Sequence, residues 1–338
     1  MKIIFLIIGV IIAILSFIYI PPYLDCPEGL QLDTTCSFGG LTESSNYEYS
    51  ITSKTTNAGT TAKDLILTRT DINNPTQTIS VDLTEKLHYT HLTKFTDFKI
   101  HTYENNVFVS WLTIGQDWSD VFLAVSDDYG KTFDIKNISQ TKTYIDHYKI
   151  SFSDNSVYVA YHDEFKTEEN KHISHLKFTK SDNYGKSFGQ HILLNTFTKS
   201  AYEFDLESMG ENIFVVWRED FDTGENNVWF AASTDRAEWF EREAKMIGRY
   251  VDVDSFNGTL HFTWISLYEK DQIWYGYSDD LGVTMESKMI FDADWELSPY
   301  ADRPRPIITA GEETIIQWTM NNDKGEKTPY TLEIPRND

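Results

Sequence analysis

Ser126-Asp-Asp-Tyr-Gly-Lys-Thr-Phe133 is the first of four related octapeptides, followed by Ser181-Asp-Asn-Tyr-Gly-Lys-Ser-Phe188, Ser233-Thr-Asp-Arg-Ala-Glu-Trp-Phe240 and Ser278-Asp-Asp-Leu-Gly-Val-Thr-Met285. Their opening serines lie 55, 52 and 45 residues apart. Self-similarity at this period marks an array of supersecondary units. The octapeptide has the chemistry of a tight turn. A side-chain oxygen at Asp128, Asn183, Asp235 and Asp280 can accept backbone N–H groups across the bend, and Gly130, Gly185 and Gly282 permit positive φ. Phe133, Phe188 and Phe240 are then placed to tuck between neighbouring sheets.

Working outward, each octapeptide follows two short alternating runs of the kind that form strands. Val107-Phe-Val-Ser-Trp111, Val157-Tyr-Val-Ala-Tyr161, Ile213-Phe-Val-Val-Trp217, Leu260-His-Phe-Thr-Trp264 and Ile315-Ile-Gln-Trp318 are five versions of one strand. Each comes after a polar turn such as Glu104-Asn-Asn106 or Gly210-Glu-Asn212, a hairpin signal. A second strand succeeds it at Val121 to Val125, Ile173 to Phe178, Val228 to Ala232 and Ile273 to Tyr277. Aromatic residues make up 14% of the chain, which favours strands, and past residue 40 no long helical periodicity interrupts the pattern.

The four octapeptides resemble the Asp-box, S-x-D-x-G-x-T-[WF], of the sialidase-like or BNR-repeat superfamily of β-propellers. The first fits at every position. The second has Asn183 for Asp and Ser187 for Thr, the third Ala237 for Gly and Trp239 for Thr, and the fourth ends in Met285. The repeat covers residues 88 to 292. The resemblance implies an all-β propeller whose boxes occupy the outer hairpin between the third and fourth strands of each blade, away from the ligand face. Five strand copies give five blades and Asp64 to Leu83 supplies a sixth, so six blades are expected, with seven as the alternative. A strand around Tyr47 to Ser53 is expected to complete the last blade and close the ring, which removes exposed edges.

The compartment is read from the N-terminus. Ile3 to Ile20 carries no charge and is long enough for a hydrocarbon core of about 30 Å. With Lys2 before it, the run reads as an uncleaved single-pass transmembrane helix leaving the rest of the chain extracytoplasmic; a cleaved signal peptide is the rival. The expected organisation is an anchor at 1–22, a membrane-proximal linker at 23–45 and the propeller at 46–338. In an oxidising exterior Cys26 and Cys36 can form a disulfide. Asn137-Ile-Ser139 and Asn257-Gly-Thr259 match the N-glycosylation acceptor. Twenty-nine Lys plus Arg against 52 Asp plus Glu leave a net charge of −23, which repels phosphate backbones and excludes nucleic acid as a partner.

In a propeller the loops of one face gather Gln116 to Ser119, His162 to His172, Arg218 to Asn226, Leu267 to Asp271 and Trp295 to Arg305. In these loops and at the strand ends of the same face, Arg218, Arg249, Trp295, Tyr300, Arg303 and Arg305 are the candidate binding residues, able to stack on or pair with a sugar or peptide. Resemblance to sialidases would imply three arginines clamping a carboxylate, a Tyr-Glu nucleophile and an Asp acid/base. The family's Phe/Tyr-Arg-Ile-Pro motif is absent, and only eight arginines are present. His88-x-x-His91 and His172-x-x-His175 would point to opposite faces of a strand, and Asp220-x-Asp222-x-Gly224-Glu225 lacks the later ligands of a calcium loop. No metal or cofactor is expected. The reading is a membrane-anchored binding module or accessory subunit, with a surface glycan or protein as partner and no catalytic residues assigned. The alternative is an exo-α-sialidase-like glycoside hydrolase.

Overall fold

The computed structural model describes residues 35–36, 42–43, 46–55, 62–85, 87, 93–141, 143–167, 171–220, 226–266, 272–292, 305–321 and 327–335. Among these every regular element is a strand, and they form six antiparallel sheets. The first holds β1 (Thr35–Cys36), β2 (Thr42–Glu43), β3 (Tyr47–Thr55), β4 (Ala62–Asp71) and β5 (Asn74–Asp82). The second runs β6 (Lys94–Tyr103), β7 (Asn106–Ile114), β8 (Ser119–Ser126), β9 (Asp134–Asn137). The third runs β10 (Tyr148–Ser153), β11 (Ser156–Lys166), β12 (His172–Ser181), β13 (Ile192–Leu193). The fourth is β14 (Ala201–Met209), β15 (Asn212–Asp220), β16 (Asn226–Ser233), β17 (Glu241–Ile247). The fifth is β18 (Arg249–Phe256), β19 (Thr259–Ser266), β20 (Gln272–Ser278), β21 (Glu286–Asp292), and the sixth β22 (Ile307–Thr309), β23 (Thr314–Asn321), β24 (Lys327–Ile334). The chain divides into two compact units, residues 1–111 with 126–133 and residues 112–125 with 134–338.

One expectation is corrected. Tyr47–Thr55 is a strand, but it belongs to the first sheet. β4 pairs along its full length on one edge, and β1 and β2 pair with it as well. With both edges so engaged, β3 has no ladder to offer the sixth sheet. The apolar run at residues 3–20 and Cys26 lie outside the described residues, and of Cys36 only its place in β1 is described. Among the described residues no helix is long and apolar enough to cross a membrane.

In the second unit the alternation along β15 determines how sheets stack. Ile213, Val215 and Trp217 enter one apolar cluster with Tyr158 and Phe178 of the third sheet, whereas Phe214 and Val216 enter another with Val253 and Phe262 of the fifth. A strand's side chains point alternately to its two faces. A strand buried on both faces therefore needs apolar residues at every position, which is why Ile213-Phe-Val-Val-Trp217 reads as one continuous apolar run, each residue at most 1% exposed. Ile265, Ile273, Ile308, Ile316 and Trp318 join the fifth sheet to the sixth in the same way. Fourth strands have no such cover, so β17 and β21 are exposed over their first four residues. Facing rings tie the second strand to the third at one repeated register: Trp217 on Trp229, Trp264 on Trp274 and Trp318 on Tyr330.

The boxes connect third to fourth strands, as the resemblance implies, and share one hydrogen-bond pattern. Ser126 Oγ donates to Asp128 Oδ1 at 2.8 Å and accepts the Gly130 N–H at 2.8 Å, while Asp128 Oδ1 accepts the N–H groups of Lys131 and Thr132. Asn183, Asp235 and Asp280 repeat the arrangement. Burial acts to raise the Asp128 carboxyl, but bonds from the Thr132 N–H and the Ser126 and Thr132 hydroxyls outweigh it and hold the group below its ordinary range. Two consecutive left-handed residues close each box, for instance Tyr129 and Gly130 at φ 61° and 77°; the third box places Ala237 there at φ 61°. Phe240 is buried against Phe178, as expected, whereas Phe133 and Phe188 are only half-buried.

Candidate binding site

The first strands of four sheets, β10, β14, β18 and β22, lie side by side in the second unit. They are not paired as a ladder; carboxylates join each to the next. Asp205 Oδ2 accepts the Val253 N–H at 3.0 Å, Asp252 Oδ2 accepts the Ile308 N–H at 2.9 Å, and Asp254 Oδ2 accepts the Ala310 N–H at 2.8 Å. Ser255 donates its hydroxyl to Glu207 at 2.5 Å. Lys149 holds on β10 the register position that Asp205 holds on β14 and Asp252 on β18. Its ammonium is 2.6 Å from Asp205 and 3.8 Å from Asp252. Burial acts upward on Asp205, but Lys149 and the bond to Asp252 outweigh it and keep that carboxyl low. Burial and the neighbouring Asp205 charge push the Asp252 carboxyl well above its ordinary range. Burial also raises Asp254, and it pushes Glu207 to about 8 against the opposing Ser255 hydroxyl.

Where β14 and β18 begin, both carry a bulge with a left-handed residue. Glu203 has φ 44° at the register shift between Tyr202 and Phe204, and Tyr250 has φ 53° at the shift between Arg249 and Asp252. Such strain costs of order 1–3 kcal/mol per residue and gathers at functional sites. Glu203 is fixed on two sides. It accepts the Tyr250 N–H at 2.9 Å and pairs with Arg218 at 3.2 Å. The Arg218 guanidinium also lies 4.6 Å from the centre of the Tyr202 ring, and Arg305 lies 5.1 Å from that of Tyr250. On the opposite face of β15 from Arg218, Glu219, 2% exposed, accepts the Trp217 indole N–H at 3.3 Å. Its second oxygen and the Nε of Arg249 are buried with no hydrogen-bond partner among the described residues. Phe204 continues the rim toward His162, whose ring lies 4.4 Å away and whose Nδ1 is 3.4 Å from Asp146.

The structure thus brings Arg218, Arg249 and Arg305 to one end of neighbouring strands. Trp295, Tyr300 and Arg303 lie outside the described residues, as do His88, His91, Asp222, Gly224 and Glu225. Arg218 makes its ion pair within its own sheet. His172 sits beside Glu164 at 2.7 Å, and His175 meets the Phe197 carbonyl at 2.9 Å. Of the two glycosylation matches, Asn137 donates its amide to Asp120 while Ser139 is buried against the same carboxylate; Asn257 is exposed at a hairpin tip. Glu203, Tyr250 and Glu219 escaped the sequence reading. The usable signal was the acid spacing Asp205-x-Glu207, which Asp252-x-Asp254 repeats in an otherwise apolar strand position.

No family model and no curated relative matches the sequence. Among solved structures, the chain is similar to the Hadza microbial sialidase Hz136, with 11% identity, 88% of this chain and 65% of that one covered, and a TM-score of 0.53. It is also similar to a protein of unknown function from Dyadobacter fermentans, with 9% identity, 88% and 93% covered and a TM-score of 0.51. An alpha-L-arabinanase of Penicillium chrysogenum complexed with arabinobiose gives 10% identity, 85% and 90% covered and a TM-score of 0.50. The chain spans just under two thirds of the sialidase. At these identities the likeness is one of fold: the chain has the sialidase-like β-propeller fold that its four Asp-boxes resemble.

Proposed function

We propose that the protein is a saccharide-binding propeller of six blades, held outside the membrane by residues 3–20, and that its ligand site is the rim of Tyr202, Arg218, Arg249, Tyr250 and Arg305. One observation carries this reading. The inner-strand carboxylates that could serve as an acid catalyst are occupied in tying one strand to the next, so what remains to meet a ligand is guanidinium and aromatic surface. Tyrosine faces stack on sugar rings and guanidinium groups pair with carboxylate or hydroxyl oxygens. Solved glycoside hydrolases with this fold support a saccharide as the ligand class. Calorimetric titration of the full chain in mild detergent with sialyllactose and with arabinobiose tests it. Binding of either sugar, weakened about tenfold, some 1.4 kcal/mol, by Arg218→Ala and by Arg249→Ala, is the expected result. Absence of binding to both sugars would remove the proposal. Resistance of the full chain to carbonate extraction, lost on deleting residues 1–22, tests the tether.

A glycoside hydrolase is the second reading, and Glu219 favours it through a buried carboxylate oxygen that lacks a hydrogen-bond partner among the described residues. Turnover of a fluorogenic sialoside or arabinofuranoside that disappears in Glu219→Gln would establish that reading and displace the first.

A further inference from the structure

Each box seats its left-handed glycine or alanine on the sheet before its own. A Cβ on Gly130 would lie 3.1 Å from Tyr49, one on Gly185 2.7 Å from Leu123, and one on Gly282 2.3 Å from Phe230. Ala237 packs in the cluster of Tyr158 and Phe178. Two of these seats carry a cation at the same place. Lys180, two residues past Phe178, donates to the Arg236 carbonyl at 2.7 Å, and Arg69, two residues past Leu67, donates from Nη1 to the equivalent Tyr129 carbonyl at 2.9 Å.

The two cations differ in their counter-charges. Lys180 has Glu238 of the seated box at 2.5 Å and Asp182, two residues on, at 3.5 Å. In the first unit the box position of Glu238 belongs to Lys131. Asp71, which stands where Asp182 does, turns its Oδ1 to the N–H groups of Asn73 and Asn74 at 2.8 and 3.2 Å. Arg69 is 7% exposed, and among the described residues no carboxylate pairs with it. The Tyr47 ring, its centre 4.4 Å away, engages the face of the guanidinium without balancing its charge. Side chains so charged and so buried are normally paired, because desolvation is costly.

Arg69 lines a pocket of about 310 Å³ together with Tyr47, Asp71, Thr76, Gln77 and Thr78. Tyr49, Arg69 and Ile79 form one row across β3, β4 and β5, and Tyr47 and Asp71 pair in the next. We propose that this pocket binds a small hydroxy acid, with its carboxylate on Arg69 and its hydroxyl groups on Thr76, Gln77 and Thr78. With Nη1 on the Tyr129 carbonyl, Nε and Nη2 form a flat donor edge that matches a planar carboxylate. Asp71 on the same wall, in a chain of net charge −23, disfavours a ligand with more than one negative charge. The site belongs to the first unit, uses none of the rim residues and is independent of the saccharide reading.

The probe is D-gluconate, titrated by calorimetry into the full chain in mild detergent, with sorbitol as its uncharged analogue and inorganic phosphate as a more highly charged anion. Saturable binding of gluconate is expected, with sorbitol and phosphate each weaker by about tenfold or more. Arg69→Gln and Gln77→Trp should each weaken gluconate binding by about tenfold or more. The second fills the pocket from an exposed position on β5 and decides the matter where the first fails to fold. Absence of saturable gluconate binding, or sorbitol or phosphate binding as tight as gluconate, overturns the proposal. Gluconate binding that survives Gln77→Trp would belong to another part of the chain and overturns it as well.

Discussion

Replacing Gly282 by alanine tests whether successive sheets pack box upon sheet. The new Cβ would lie 2.3 Å and 2.5 Å from Cζ and Cε1 of Phe230, at φ 86°. A methyl added to Gly258, at φ 90°, would meet nothing within 4 Å, so that position isolates the backbone penalty. Left-handed strain in alanine costs about 1 kcal/mol, a figure shared by both variants. Overpacking against a buried ring adds roughly 1–3 kcal/mol for Gly282→Ala alone. Urea unfolding followed by tryptophan fluorescence should therefore place Gly282→Ala about 2–4 kcal/mol below the parent and Gly258→Ala about 1 kcal/mol below it. Shortening the ring by Phe230→Leu should recover part of the Gly282→Ala loss, giving a coupling energy of at least about 1 kcal/mol in the double-mutant cycle. Equal losses for the two glycines, with no coupling to Phe230, would refute the seating of a box on the preceding sheet.

Three further outcomes follow from the electrostatics and the turns. Glu207 has its folded pKa raised from 4.5 to about 8, so its contribution to stability is full below 4.5 and is lost as pH rises through 8. Glu207→Gln keeps an acceptor for Ser255 and should flatten that alkaline loss by up to a few kcal/mol, read as the difference in melting temperature between pH 5 and pH 9. Asp128 is held below 3.8, so its contribution is present above that value and lost as pH falls below it; Asp128→Asn, the residue natural at 183, should remove this acid limb from the melting curve while leaving a folded box. Asp128→Ala removes an acceptor serving two backbone N–H groups and should cost about 1 kcal/mol, by analogy with loss of a helix cap, measured by thermal unfolding at pH 7.

How much of this was written in the sequence depends on whether the interaction is local. The boxes were legible because the acceptor at Asp128 and the N–H groups it satisfies lie within four residues, and their recurrence gave the sheets a phase. The second strands were legible because burial on both faces forces a continuous apolar run. The place of Tyr47–Thr55 was not legible. A strand's sequence records which faces are buried and leaves open which strand takes its edge, so the pairing with Ala62–Asp71 is visible only in the folded chain. The rim was half legible: Arg218, Arg249 and Arg305 stood out as rare cations in an acidic chain. Glu203 and Tyr250 did not, since a bulge with positive φ in a non-glycine residue has no local signature.

Hydrogen exchange with and without a saturating saccharide tests the rim assignment most directly. Slower exchange confined to Ala201–Leu206 and Arg249–Val253, with the hairpin tip at Asn257 unchanged, is what ligand contact at Arg218, Tyr202 and Tyr250 requires. Protection centred on the box turns or on the Asn257 tip, with those two strand starts exchanging as before, would contradict it.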